Sequence, residues 1–281
     1  MHKSELDRRL ALFLSVLCLA SAASAATVPT VESAKASFPI RLDGKADEWA
    51  AVPRILDPKA GTEFAFQNDA RNLYILVVMK KPESFQSAEA TGMTVLGRPG
   101  GSRKPAKGVL FLNREISADG YIVWRESQGA ILTDADKAEI RKTPRHPITV
   151  SFAIDAKGSS YGPLRKQTDA LPPDFGASQQ DSEAVYEFRV PLASPDLLPG
   201  GIGGTPGASI RISLEWGGTD RKSLSTQAGR ESPNSRSGYQ SGTGRTWGQE
   251  YLDSFDSMSR PTLGNTKKFS FAVDVKLADA N

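Results

Sequence analysis

Side chains of the types that make and break bonds are scarce in this 281-residue sequence. Its histidines are His2 and His146 and its one cysteine is Cys18, so beyond Ala25 a single imidazole remains, between Arg145 and Pro147. One imidazole without a thiolate cannot assemble the Cys/His sets that hold zinc. No Gly-x-Ser-x-Gly elbow presents a nucleophilic serine. GGIGGTPG, residues 200–207, lacks the Lys-Ser/Thr of a phosphate-binding loop and the spacing of a dinucleotide-binding one, and reads as a turn between strands. Glycoside cleavage needs two facing carboxylates, and no spacing singles out a pair. The cluster to weigh is IRLDGKADEWAAV, residues 40–52, where Asp47 and Glu48 precede Trp49. Asp43-Gly44 suits a tight turn at a strand end. Trp49 is then an apolar plug for the open end of a β-sandwich, its N–H requiring a partner. The cluster reads as a structural corner, and the protein is not expected to be an enzyme.

The elements that would position such a corner show in the alternation of the chain. Phe38, Ile40 and Leu42 share one face of an expected first strand, and Phe64 and Phe66 share one face of the next. Tyr186, Phe188, Val190 and Leu192 alternate with Val185, Glu187 and Arg189; Ile210, Ile212, Leu214 and Trp216 alternate with Arg211, Ser213 and Glu215. Phe269, Phe271, Val273, Val275 and Leu277 repeat the pattern near the end. Period two with one polar face marks half-buried antiparallel strands. Leu73 to Met79 is apolar throughout, as a central strand covered on both faces must be. Weaker strand candidates are 92–97, 108–113, 120–126 and 148–155. Only 133–142 reads as a helix, with Thr133 as its N-cap. These elements, with 25 Gly and 18 Pro, predict an all-β antiparallel sandwich with one short helix and long loops at 98–107, 156–183 and 217–250.

Lys3, Arg8 and Arg9 precede an apolar run from Leu10 to Ala20 and then Ala23-Ser24-Ala25, the layout of a secretory signal peptide cleaved after Ala25. The run is too short to cross a bilayer, and no later run reaches the ~20 apolar residues that crossing needs. The expected product is one exported domain, residues 26–281, periplasmic or extracellular. Losing Lys3, Arg8, Arg9, Glu5 and Asp7 leaves 32 basic against 30 acidic residues. So balanced a charge points to neither nucleic acid nor a membrane surface as partner.

LDGKADEWAAV, AFQNDARNLYILVVM and EAVYEFRVPL, in that order, resemble the family 9 carbohydrate-binding module-like domains of the broader DOMON-like group. The matching positions are Asp43-Gly44, Trp49, Asn68-Asp69, Asn72-Leu73-Tyr74, Tyr186-Glu187-Phe188 and Pro191-Leu192. Residues 98–180 and 217–250 match only loosely. The resemblance implies a β-sandwich that binds a glycan without catalysis. The family's sugar-stacking aromatics lie outside the matched motifs, so none is carried over.

Structural calcium occurs among related modules, and Asp43, Asp47, Asp57 or Asp69 could contribute to such a site, but no loop has ligand spacing and solvated turn acids are the simpler account. Some DOMON-like domains hold b-type haem through axial Met, His or Lys. Here Met79, Met93, Met258 and His146 are available and no spacing pairs two of them, so no cofactor is expected. For a sugar, exposed aromatic plates flanked by polar side chains are required. Trp216 falls in phase with core residues, and the faces of Tyr121 and Trp124 are ambiguous. Trp247 and Tyr239 lie in the polar 217–250 stretch with no apolar face to account for them. They are the expected stacking plates, with Arg245 and Gln249 as hydrogen-bonding neighbours, unless Trp247 merely pins the loop. The alternative partner is an envelope protein contacted by the long loops.

Overall fold

The structure is a computed structural model and describes residues 28–36, 40–155, 160–163, 171–180, 182–218 and 266–279. Two sheets face each other. The first has strand order β1-β13-β12-β6-β7-β8-β9, formed by Thr30–Glu32, Phe269–Lys276, Ser209–Trp216, Met93–Pro99, Lys107–Ser117, Arg145–Asp155 and Ser160–Pro163. The second runs β10-β11-β5-β4-β2, formed by Asp174–Gln180, Glu183–Pro191, Asn72–Met79, Thr62–Asn68 and Ala34–Lys35, with β3 (Ile55–Asp57) also on β4. Pairing is antiparallel except where the N-terminal strands join: β1 runs parallel to β13 and β2 parallel to β4. The chain therefore passes from one sheet to the other at Ser33. Asn68 ties this crossing down, its Oδ1 accepting from the Ser33 hydroxyl and from Ala278 N, and its Nδ2 donating to Ala278 O.

The core between the sheets is the one the alternation expects. Ile210, Ile212, Leu214 and Trp216 point inward from β12, and Tyr186, Phe188 and Val190 from β11. Rings interlock across the gap: Phe64 stacks on Phe271 at 4.1 Å and Phe111 leans on Phe188 at 4.9 Å. Each such side chain contributes ~1.5–3 kcal/mol by leaving water. Strand β5 is buried on both faces. Leu73, Ile75, Val77 and Met79 enter the intersheet core, while Tyr74, Leu76 and Val78 lie beneath an outer layer that includes Trp49 and Val52.

Several expectations give way. Residues 40–42 join no sheet; they cross the outer face of β10, and a Cβ on Gly176 would stand 2.1 Å from the Leu42 carbonyl oxygen. Residues 37–39 lie outside the described ones. Trp49 sits in a 3₁₀ turn, Asp47–Trp49, and covers the outer face of the second sheet rather than plugging an open end. The expected strand 120–126 is helical, within α2 (Ala118–Ser127). Ser117 caps it, accepting from Gly120 N at 3.2 Å, and Tyr121 and Trp124 share a face three residues apart. Helix α1 (Pro82–Thr91) has no apolar periodicity to mark it in the sequence, because half of its buried face is serine, Ser84 and Ser87 beside Phe85 and Ala88. The expected helix is α3 (Asp134–Ile140), with a capping box between Thr133 and Asp136. The connection 156–183 contains β9 and β10 instead of being loop throughout.

Candidate functional site

The matched motifs meet at two corners. Glu187 projects outward from β11, between inward Tyr186 and Phe188, and is fully buried. Its Oε1 accepts the indole N–H of Trp49 at 2.8 Å, and its Oε2 accepts Gly44 N at 2.8 Å and Asp43 N at 3.1 Å. Burial pushes its carboxyl above the usual range, against the pull of these three donors. Gly44 has φ +75°, and a Cβ there would lie 2.5 Å from Ser178 N; the Ser178 hydroxyl donates to Gly44 O at 2.6 Å. A carboxylate so engaged can hold a turn but has no room to meet a substrate. At the second corner Asp69 Oδ1 accepts Arg71 N and Asn72 N, both at 2.6 Å, and Oδ2 accepts the Tyr74 hydroxyl at 2.9 Å. Burial, then the Asp69 carboxylate, pushes the Tyr74 phenol up.

The acids named for calcium are dispersed. Asp43 and Asp57 each accept the backbone N–H two residues on, at 3.0 Å, as turn-closing acids do. Among the described residues no three of His, Cys, Asp or Glu come together. Met79 and Met93 are core residues. His146 lies against Tyr121 at 4.4 Å, its Nε2 2.9 Å from the Ile140 carbonyl. Met258 lies outside the described residues.

Tyr121 and Trp124, of ambiguous face in the sequence, pack from α2 onto the outer apolar face of the first sheet. Trp216 is core, its indole N–H donating to Ser84 Oγ at 3.1 Å. Tyr239, Arg245, Trp247 and Gln249 lie outside the described residues, but both ends of the segment that carries them are described. The chain leaves β12 through Gly217, whose N–H donates to Thr91 Oγ1 at 2.7 Å, and Gly218, whose N–H donates to Thr266 O at 3.1 Å. Thr266 Oγ1 returns a bond to Gly218 O at 2.8 Å. Departure and return are thus clamped together. Beside the clamp opens a cleft of about 180 Å³, lined among others by Thr94, Glu215, Trp216, Gly217, Gly218 and Lys268.

In the sequence Glu187 stands only as a member of the Tyr186-Glu187-Phe188 motif, not as the acceptor for Trp49, and Thr94 is not singled out at all. Glu187 carried a readable signal: a carboxylate facing the same side as Leu76, in a sheet whose central strand is apolar on both faces, has to be buried and satisfied. Thr94 carried none.

No family model matches this sequence, and no curated protein matches it. Among solved structures the chain is similar to a family 9 carbohydrate-binding module from Caldicellulosiruptor kristjanssonii in complex with glucose, at 14% identity over 69% of this chain and 81% of that one, with a TM-score of 0.30. It is also similar to such a module from that organism in complex with cellotriose, at 12% identity over 69% and 78% of the two chains, with a TM-score of 0.32.

Proposed function

We propose that this protein is exported and recognises a glycan without catalysis, at the end of the sandwich where residues 219–265 leave and rejoin the first sheet. Trp247 and Tyr239 serve as stacking plates for the apolar faces of sugar rings, and Arg245 and Gln249 bond the hydroxyls around them. Export follows from the signal-peptide layout of residues 1–25; among the described residues no helix is long and apolar enough to cross a membrane. Support for the binding role comes from the family resemblance of the corner motifs. The observation that carries it furthest is the clamp of Gly218 to Thr266 at the lip of a cleft. A segment anchored at both ends beside a concave surface is where binding side chains are best held by a rigid scaffold.

The test is a glycan-array screen of residues 26–281, with and without calcium, followed by Trp247→Ala. Binding to one polysaccharide class, lost in a folded Trp247→Ala variant, is expected. Unchanged affinity in that variant removes Trp247 from the site. A folded protein that binds no glycan sinks the proposal and directs the search to a protein partner in the envelope.

A further inference from the structure

We infer that the cleft at the junction of β6, β12 and β13 is a subsite for a single unit of an uncharged sugar chain, read by Thr94, Glu215 and Lys268. This rests on the glycan-binding role proposed above and adds residues outside the 219–265 segment. Thr94 and Glu215 are direct cross-strand partners on the outward face of the first sheet. Lys268 Nζ lies 3.3 Å from Glu215 Oε2. Three polar groups of different kind therefore converge on one concave surface.

Thr94 is the unusual member. It is only 2% exposed, and its hydroxyl has no hydrogen-bond partner among the described residues. No fully enclosed side-chain oxygen or nitrogen among these residues lacks a partner, so this hydroxyl retains contact with solvent, which the cleft supplies. A nearly buried polar group left open at the floor of a cleft is satisfied there by water or by a ligand.

Size and charge select the ligand class. About 180 Å³ falls short of the ~300 Å³ at which drug-sized sites begin. One pyranose ring suits that space better than a nucleotide or a peptide segment. A carboxylate accepts from adjacent hydroxyls, an ammonium donates, and the threonine hydroxyl does either. The Glu215 carboxylate and the Lys268 ammonium are of opposite sign, so as a pair they offer no net attraction to an acidic sugar.

The experiment uses residues 26–281, wild type and two near-isosteric variants, Thr94→Val and Glu215→Gln. The probes are D-glucose, D-galactose, D-mannose, D-xylose, their β-1,4-linked oligomers and β-1,4-linked oligogalacturonate. Calorimetric titration gives affinity; amide spectra report folding and the resonances of Gly92, Gly217 and Gly218. Expected are shifts at these glycines on binding a neutral oligomer, with an affinity loss of about five- to tenfold in each variant, as for one lost hydrogen bond. Wild-type binding with both folded variants unaffected overturns the subsite and leaves the glycan role standing. Tighter binding of oligogalacturonate overturns the charge argument and the subsite with it. No binding of any probe by the wild type, together with a blank glycan array, removes the glycan role and this inference alike.

Discussion

Trp49 and Glu187, 138 positions apart in the chain, are joined by one hydrogen bond of 2.8 Å from indole to carboxylate. That bond, with the two amides of Asp43 and Gly44 on the other oxygen, fastens the N-terminal crossover onto the face of the second sheet. The acids beside Trp49 in the sequence do not take part in it; the partner comes from β11, far along the chain.

Removing Glu187 leaves three donors facing apolar surroundings. Each unsatisfied buried group costs ~1–3 kcal/mol. Glu187→Ala is therefore expected to lower stability by about 3 kcal/mol or more, and Glu187→Gln, which turns one acceptor into a donor facing donors, by a smaller amount. Urea unfolding followed by tryptophan fluorescence measures both. A midpoint unchanged in Glu187→Ala would contradict the clamp.

The same residue gives a pH dependence. Its carboxyl is raised above the ordinary 4.5 because it is buried. The folded state therefore holds this proton more tightly than the unfolded chain, and unfolding free energy falls as pH rises through the interval above 4.5. This contribution is fully present below the unfolded value and lost above the folded one. The stability difference between wild type and Glu187→Gln should move in favour of wild type as pH drops from 7 to 5, all other groups cancelling. A difference constant with pH rules this out.

Gly176 has no room for a side chain, since a Cβ there would stand 2.1 Å from the Leu42 carbonyl oxygen. Gly176→Ala should push the crossover away and cost ~1–3 kcal/mol, the usual range for overpacking. Trp49, now fully buried, should then show red-shifted emission. Wild-type stability and emission in this variant would mean that the crossover does not press on β10.

Arg211 and Asp274 pair across β12 and β13 through two bonds, 2.7 Å and 2.6 Å. The guanidinium holds the Asp274 carboxyl below its usual range. Stability from this pair is present above the unfolded aspartate value and lost as pH falls through the lower folded one. Both side chains are about one-third exposed, so Asp274→Asn should cost no more than ~1 kcal/mol at neutral pH. The cost should shrink in high salt. Thermal unfolding at pH 7 and pH 3, at two salt concentrations, decides.

What the sequence determined by itself is the part of the fold written in short-range periodicity. Alternation over 186–192, 210–216 and 269–277 assigns both the strands and their inward faces, because a strand's side-chain period is a local property. The unbroken apolar run at 73–79 likewise specified a strand covered twice. Residues 120–126 misled because seven residues with four large apolar groups satisfy either period, and the N-cap Ser117 decided for a helix. Tertiary structure alone decided the rest. Which carboxylate receives the Trp49 indole, whether residues 40–42 pair or cross, and whether Thr94 faces protein or an open cleft all depend on strands brought together from distant parts of the chain. The cost of leaving a buried polar group unpaired selects those contacts, and that cost exists only once the sheets have closed.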